Sequence, residues 1–133
     1  MYKLLSIKEY EATRDVYLKN VITETTDMCF DDSALVSESD NFDFMEIGKQ
    51  YECKIRLFGE PDINKLGELV ECLIVEDNIK VGRAIYVKVK VNNDSYYVDR
   101  EQAIPFLATG KFKYRYTRKD LIQVGDIMHQ DLW

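Results

Sequence analysis

Apolar and polar residues alternate with a period of two along most of this chain. Tyr51, Cys53, Ile55 and Leu57 fall on one face of a predicted strand, and Glu52, Lys54 and Arg56 on the other. Ile85, Val87, Val89 and Val91 repeat the pattern opposite Tyr86, Lys88 and Lys90. The turn residues Asn92, Asn93 and Asp94 follow, then Ser95 to Val98, which together predict a β-hairpin. Leu69 to Val75 is apolar at nearly every position except Glu71. It predicts either a strand buried on both faces or one whose bulge switches faces midway. Nearer the N-terminus, Tyr2–Ile7, Arg14–Val21 and Asp27–Phe30 read as strands, with a turn at Thr23–Thr26. One helix is expected. Asp99 stands as its cap and Gln102 three residues on, ahead of Ala103, Ile104, Phe106 and Leu107. Pro105 restricts it to a short or bent helix ending at Gly110.

About seven short strands with at most one or two short helices predict a mostly β fold, a small single-domain barrel or sandwich. The strand from Gly48 to Gly59, bracketed by glycines, suits an OB-like barrel, although a helix after the Asn92 turn does not obviously follow the standard OB order. Residues 1–133 are expected to form one domain. Residues 1–46 supply N-terminal strands and an acidic loop, and residues 47–133 supply the main β body. A chain of 133 residues with 46% hydrophobic content buries enough surface to need no metal or disulfide. Cys29, Cys53 and Cys72 are an odd number without CxxC spacing, which suits buried thiols in a reducing compartment. The first residues carry charge too early for a signal peptide, and no apolar run approaches the roughly 18 residues that span a bilayer. A cytoplasmic protein is expected.

Charge is segregated. Between Asn20 and Gly48 there is no lysine or arginine, but there are eight acids, whereas the remainder has 16 acids against 18 bases. The net charge of −6 therefore originates in this stretch. At the far end, Lys111 to Lys119 packs five bases into nine residues. Fields of this kind attract partners and say nothing of fold.

Catalysis finds little support. His129 is the only histidine and lies near the end of the chain, where a catalytic base is hard to hold rigidly. Paired carboxylates of glycosidase type are non-specific among 24 acids. Zinc would need Cys and His at close spacing, and Asp31, Asp32, Asp40 and Asp43 lack the order of a calcium loop. No metal, cofactor or enzymatic activity is expected. The leading expectation is a non-enzymatic binding or adaptor domain that docks a basic protein partner. Asp31, Asp32, Asp40 and Asp43 would steer that partner, and Phe42 and Phe44 would anchor it. The competing expectation for Phe42, Phe44 and Met45 is that they fasten the loop to the core.

The alternative is a single-stranded nucleic-acid-binding barrel. Lys111, Lys113 and Arg115 alternate with Phe112, Tyr114 and Tyr116, placing cations on one strand face and aromatics on the other. Exposed rings would stack bases beside phosphate-binding cations. The alternation itself favours aromatics turned to the core, and the acidic balance weighs against phosphate contact. Finally, Leu121, Ile122, Val124, Ile127, Met128, Leu132 and Trp133 form an apolar tail expected to dock on its own domain.

Overall fold

The computed structural model describes residues 1–61 and 68–132. Trp133, expected to dock with the tail, lies outside the described residues. The elements in chain order are β1 (Tyr2–Glu9), β2 (Arg14–Asn20), β3 (Thr26–Asp31), α1 (Ser33–Val36), β4 (Gln50–Tyr51), β5 (Cys53–Pro61), β6 (Glu68–Val81), β7 (Ala84–Val91), β8 (Asp94–Asp99), α2 (Arg100–Ala103), β9 (Lys111–Val124) and β10 (Ile127–Met128). Single 3-10 turns follow α2 at Ile104–Phe106 and close the described chain at Gln130–Leu132. The fold is mostly β, with ten strands among the described residues rather than about seven, although β4 and β10 are only two residues each.

Five strands close into a barrel. β9 pairs with β5 and β6, β6 with β7, and β7 with β8, all antiparallel, while β8 returns to β5 in parallel. Read from β6, the order β6-β7-β8-helix-β9-β5 is the pairing scheme of an OB-type barrel, with its fifth strand placed first in the chain. That permutation accounts for the helix after the Asn92 turn, which falls between the third and fourth strands of the scheme.

The N-terminal strands form a meander, β1-β2-β3, with β4 on the free edge of β1. β9 is long enough to serve both parts. Its first half, Lys111–Tyr116, is taken by β6. Once β6 has left, β3 joins in parallel at Phe30 and Asp120. One core runs through both parts: Leu4, Val16, Leu18 and Cys29 of the meander pack with Ile55, Leu57, Val87, Val98 and Leu121 of the barrel. A smaller cluster of Val81, Tyr86, Tyr97 and Ile122 lies apart from it, with Met128 and Leu132 of the tail packed against it.

Several local expectations change. Neither alternative holds for Leu69–Val75, which alternates with Val70, Cys72 and Ile74 turned inward; the register shifts fall at its end and beyond, between Ile74 and Glu76 and between Glu76 and Ile79, and there β6 changes faces. Cys72 therefore belongs to the main core and Val81 to the second cluster. Leu69, Leu73 and Val75 are exposed. Asp99 does not cap α2, which has no side-chain cap; its carboxylate instead binds the Arg56 guanidinium at 2.7 Å. Gln102 donates to the Gly59 carbonyl and accepts from the Tyr114 hydroxyl. Gly110 does end the segment, at φ +75°.

A buried ion pair joins meander to barrel. The Lys119 ammonium donates to Asp27, whose other oxygen accepts from the Tyr96 hydroxyl at 2.8 Å. Asp27 is buried. Burial pulls the Lys119 pKa down, but the hydrogen bond and charge of Asp27 outweigh it and hold the ammonium above its ordinary range. Burial also pushes the Tyr96 hydroxyl well up, with Asp27 adding to it.

Replacing Asp27 by Asn should cost about 3 kcal/mol in urea unfolding, because it strands a buried ammonium. The Asp27→Leu/Lys119→Met pair should recover much of that loss. The raised Lys119 pKa makes its contribution fully present through neutral pH and lost as pH rises beyond its ordinary value of 10.5. Wild-type stability should therefore fall on the alkaline side, and the double variant should fall less. Gly59 should be equally intolerant, since a Cβ there would collide with the carbonyl oxygen of Arg115. Gly59→Ala should lower stability by about 1–3 kcal/mol in the same measurement.

Candidate ligand-binding cleft

Strand pairing brings three lysines to one place on the outside of the barrel. Outward positions on β5 carry Lys54 and Arg56, and those on β7 carry Lys88 and Lys90. β8 runs between these strands, and its outward residues Ser95 and Tyr97 are registered opposite Lys90 and Lys88. Arg56 lies opposite Tyr97 on the other side. The result is a cleft of about 580 Å³ with Lys54, Lys88, Lys90 and Tyr97 in its wall.

Three turns add to its walls, beside Met1 and Tyr2 at the start of β1, Cys53 of β5 and Gln123 of β9. Asn20, Ile22 and Thr23 belong to the β2–β3 turn, Asn93 to the β7–β8 turn, and Gly125 to the β9–β10 turn. The first two turns are tied together, because Thr23 and Thr25 both donate their hydroxyls to the buried Asp94 carboxylate. Glu52 is the one carboxylate of the cleft lining against three ammonium groups.

Those ammoniums are unspent. Lys54 donates to the neutral Gln123 amide oxygen at 3.1 Å and lies 6.0 Å from the centre of the Tyr97 ring. Among the described residues none of the three lysines makes an ion pair, although Glu76 is registered opposite Lys88. Two arginines of the barrel are satisfied by contrast. Arg56 bonds Asp99 and Asp120, and Arg118 bonds Asp120 while stacking between the rings of Phe30 and Phe58, each 4.6 Å away. Arg56 and Arg118 form a neutralised network, whereas the lysines form an open positive field.

The predicted sites fare differently. Phe42 is 0% exposed, and Met45 is buried with it. They fasten the loop to the core, so Phe42 is not available as a partner anchor. Asp31 is also buried, bonded to Arg14 at 2.7 Å, while its second oxygen accepts from the Ser33 amide. This carboxylate orders the start of α1 instead of facing a partner. Asp32 is 2.6 Å from Nε2 of His129 and holds the tail. Asp40, Asp43 and Phe44 remain at the surface, Phe44 at 48% exposure.

Asp43 contributes to a second depression of about 360 Å³, with Glu9, Tyr10, Glu11 and the Arg14–Asp31 pair. That groove and the lysine cleft sit at opposite ends of β2, whose seven residues span about 20 Å.

On β9 the aromatics face inward. Tyr114 is 1% exposed, its hydroxyl bonded to the Leu57 carbonyl and to Gln102. Tyr116 is half-buried against Lys119. Lys111 and Lys113 are exposed, with Lys113 registered opposite Glu71. Arg115 is half-buried and its Nε lacks a partner among the described residues. Tyr114 therefore offers no ring face to a base, and Tyr116 has Lys119 over its ring, so the two do not form an open stacking platform.

Among the described residues, Asp32, His129 and Asp131 are the one trio of His, Cys, Asp or Glu close enough to share an ion. His129 Nε2 meets Asp32 while its Nδ1 accepts from the Asp131 amide. Both nitrogens are thus engaged, and the arrangement reads as a hydrogen-bonded clasp. Among the described residues no helix is long and apolar enough to cross a membrane.

No protein family, curated protein or solved structure matches this chain.

Cys53 lines the cleft, but burial pushes its thiol up to about 12, and burial does the same to Cys72. Cys29 is pushed well up by its complete burial. At pH 8 about one Cys53 in ten thousand is then thiolate. The folded protein should consume a disulfide reagent only very slowly at that pH, and denaturant should release three reactive thiols.

Proposed function

We propose that this protein binds a phosphate-bearing polyanion, single-stranded nucleic acid above all, in the cleft of Lys54, Lys88 and Lys90. The observation that carries this reading is the convergence of three ammonium groups free of carboxylate partners among the described residues. Lysine is a compact point charge suited to phosphate oxygens, and each contact releases counterions held by the polyanion. Asn93 adds a neutral amide at the same cleft, whereas Asn20 and Gln123 there are held in bonds to the β2–β3 turn, Lys54 and Gly125. Functions assigned to OB-type barrels by fold alone are analogy, so the weight rests on these side chains. The ligand class matches the sequence-based alternative, with the site moved from β9 to β5, β7 and β8.

Fluorescence polarisation with a labelled oligothymidylate of about 15 nucleotides tests the reading. Lys54→Glu/Lys88→Glu should weaken binding at least about tenfold. Three phosphate contacts should give a slope of about −2 in log affinity against log salt. Binding that ignores both salt and the charge reversals would sink the proposal.

A second reading has a specific observation in its favour. The groove of Glu9, Glu11 and Asp43, with Tyr10 exposed beside it, suits a basic protein segment. It retains the adaptor role expected from the acidic loop, now without Asp31 or Phe42. Glu11→Lys/Asp43→Lys should abolish binding of a labelled oligolysine peptide while leaving oligothymidylate binding intact. Undiminished peptide binding would count against it.

A further inference from the structure

The lysine cleft stops abruptly at a pair of covered aromatic rings. Tyr86 and Tyr97 pack edge to face at 6.3 Å, in the small cluster apart from the barrel core. Tyr97 also lines the cleft and lies beneath Lys54. The two residues are 2% and 8% exposed, and Met128 and Leu132 of the C-terminal segment pack on their cluster together with Ile79 and Ala84 of the β6–β7 hairpin.

On the far side of the cluster is a smaller depression of about 140 Å³, lined by Tyr86, Arg56, Arg118 and the tail residues His129, Asp131 and Leu132. Gly125, at the start of the same segment, lines the lysine cleft. The segment thus crosses the outer face between the two depressions.

Its attachments combine polar contacts with packing of Ile127 on the main core and of the His129 ring on Phe42. β10 is two residues long. The His129 amide donates to the Ile122 carbonyl, and its ring meets Asp32. At the far end the Arg83 amide donates to the Leu132 carbonyl, and the Arg83 guanidinium donates to the Asp131 carbonyl at 3.0 Å. Gly82, at φ +60°, leaves no room for a Cβ beneath that Leu132 carbonyl, so the β6–β7 turn is shaped to receive the segment. In the OB scheme this is the turn between the first and second strands, and Tyr86 and Tyr97 stand on the second and third. That is the face on which such barrels take oligonucleotides.

We infer that residues Ile127–Leu132 form a displaceable strap over a base-stacking platform of Tyr86 and Tyr97, which joins the lysine cleft when the strap lifts. The inference rests on the polyanion reading of that cleft and deepens it by naming the ligand. Lysines alone accept any phosphate polymer, whereas two tyrosine rings select one that carries bases. A strap that is open one-tenth of the time weakens apparent affinity about tenfold, and only for ligands that use what it covers.

Two probes separate the two ideas: the labelled oligothymidylate, and inorganic polyphosphate of matched charge as its competitor or direct ligand. In the full chain, Leu132→Ala should tighten oligothymidylate binding about tenfold and leave polyphosphate binding unchanged. Met128→Ala, at the other end of the strap, should act in the same direction and guards against a folding defect in the first variant. Adding Tyr97→Leu to Leu132→Ala should remove the gain. If wild type binds both probes and the strap variants tighten neither, or both equally, the strap is overturned while the cleft reading stands. If neither probe binds wild type or variants, the cleft reading fails and the strap fails with it.

Discussion

The Lys119–Asp27–Tyr96 cluster holds the two halves of this protein in one body. β3 shares a single registered residue pair with β9, too little to fix the meander against the barrel by backbone bonding alone. The buried pair supplies direction as well as attraction. Asp27 comes from β3, Lys119 from β9 and Tyr96 from β8, so a rotation of the meander would strand a charge in the core. Lys119 is seated between the rings of Tyr96 and Tyr116, 5.1 Å from each, which shields its stem and orients its head. Everything the meander contributes to the cleft depends on this seating, the Asn20–Thr23 wall above all. The Thr23 and Thr25 bonds to Asp94 repeat the constraint at the rim.

Acid and base counts in the chain misrepresent the field at its surface. Asp27 and Asp31 are buried in pairs, Asp94 is held by threonine hydroxyls, and Asp99 and Asp120 are bound by arginines. The basic residues that these acids engage are Arg14, Arg56, Arg118 and Lys119. Lys54, Lys88 and Lys90 are among the cations outside these pairs, and they are the ones that converge on the cleft. A net charge of −6 therefore coexists with a locally positive cleft. A polyanion responds to the local field within roughly a Debye length, about 10 Å in ordinary salt. The overall balance limits non-specific attraction at longer range.

Strand alternation made most of the elements legible, because period two is enforced wherever one face is buried. The hairpin at Asn92, where φ is +56°, and the arrest of the helix at Gly110 followed from turn chemistry. Partner choice was not legible. Lys54 and Lys88 read correctly as outward residues of separate strands, but only the parallel return of β8 to β5 makes them neighbours. Tertiary context also decided Asp99, where a guanidinium outcompetes the backbone amides of α2. Phe42 illustrates another limit: an aromatic among acids in a loop has the same sequence signature whether it anchors a partner or its own core. Arg14 decided the matter by donating to the Phe42 carbonyl at 2.6 Å, drawing the loop backbone inward.

The permuted order gives the face of the barrel its particular form. In an unpermuted scheme the fourth and fifth strands are joined directly by a loop beside the ligand face. Here that junction is open, since β5 is entered from the meander and β9 runs on into β10. Both flanking segments of the chain are thereby delivered to the same face. The meander builds a wall of the cleft through its β2–β3 turn, and the C-terminal segment lies across the aromatic pair. The wall is fastened by a buried ion pair and by threonine bonds to a buried carboxylate. The segment across the face is fastened by a two-residue strand, one imidazole–carboxylate contact and backbone bonds at a turn. Ile127 packs on the main core and the His129 ring on Phe42, while Met128 and Leu132 cover the aromatic pair; that last burial is non-directional and readily exchanged for another flat apolar surface. Under the reading proposed above, a nucleobase would be the surface exchanged, with rigidity on one side of this face and exchange on the other.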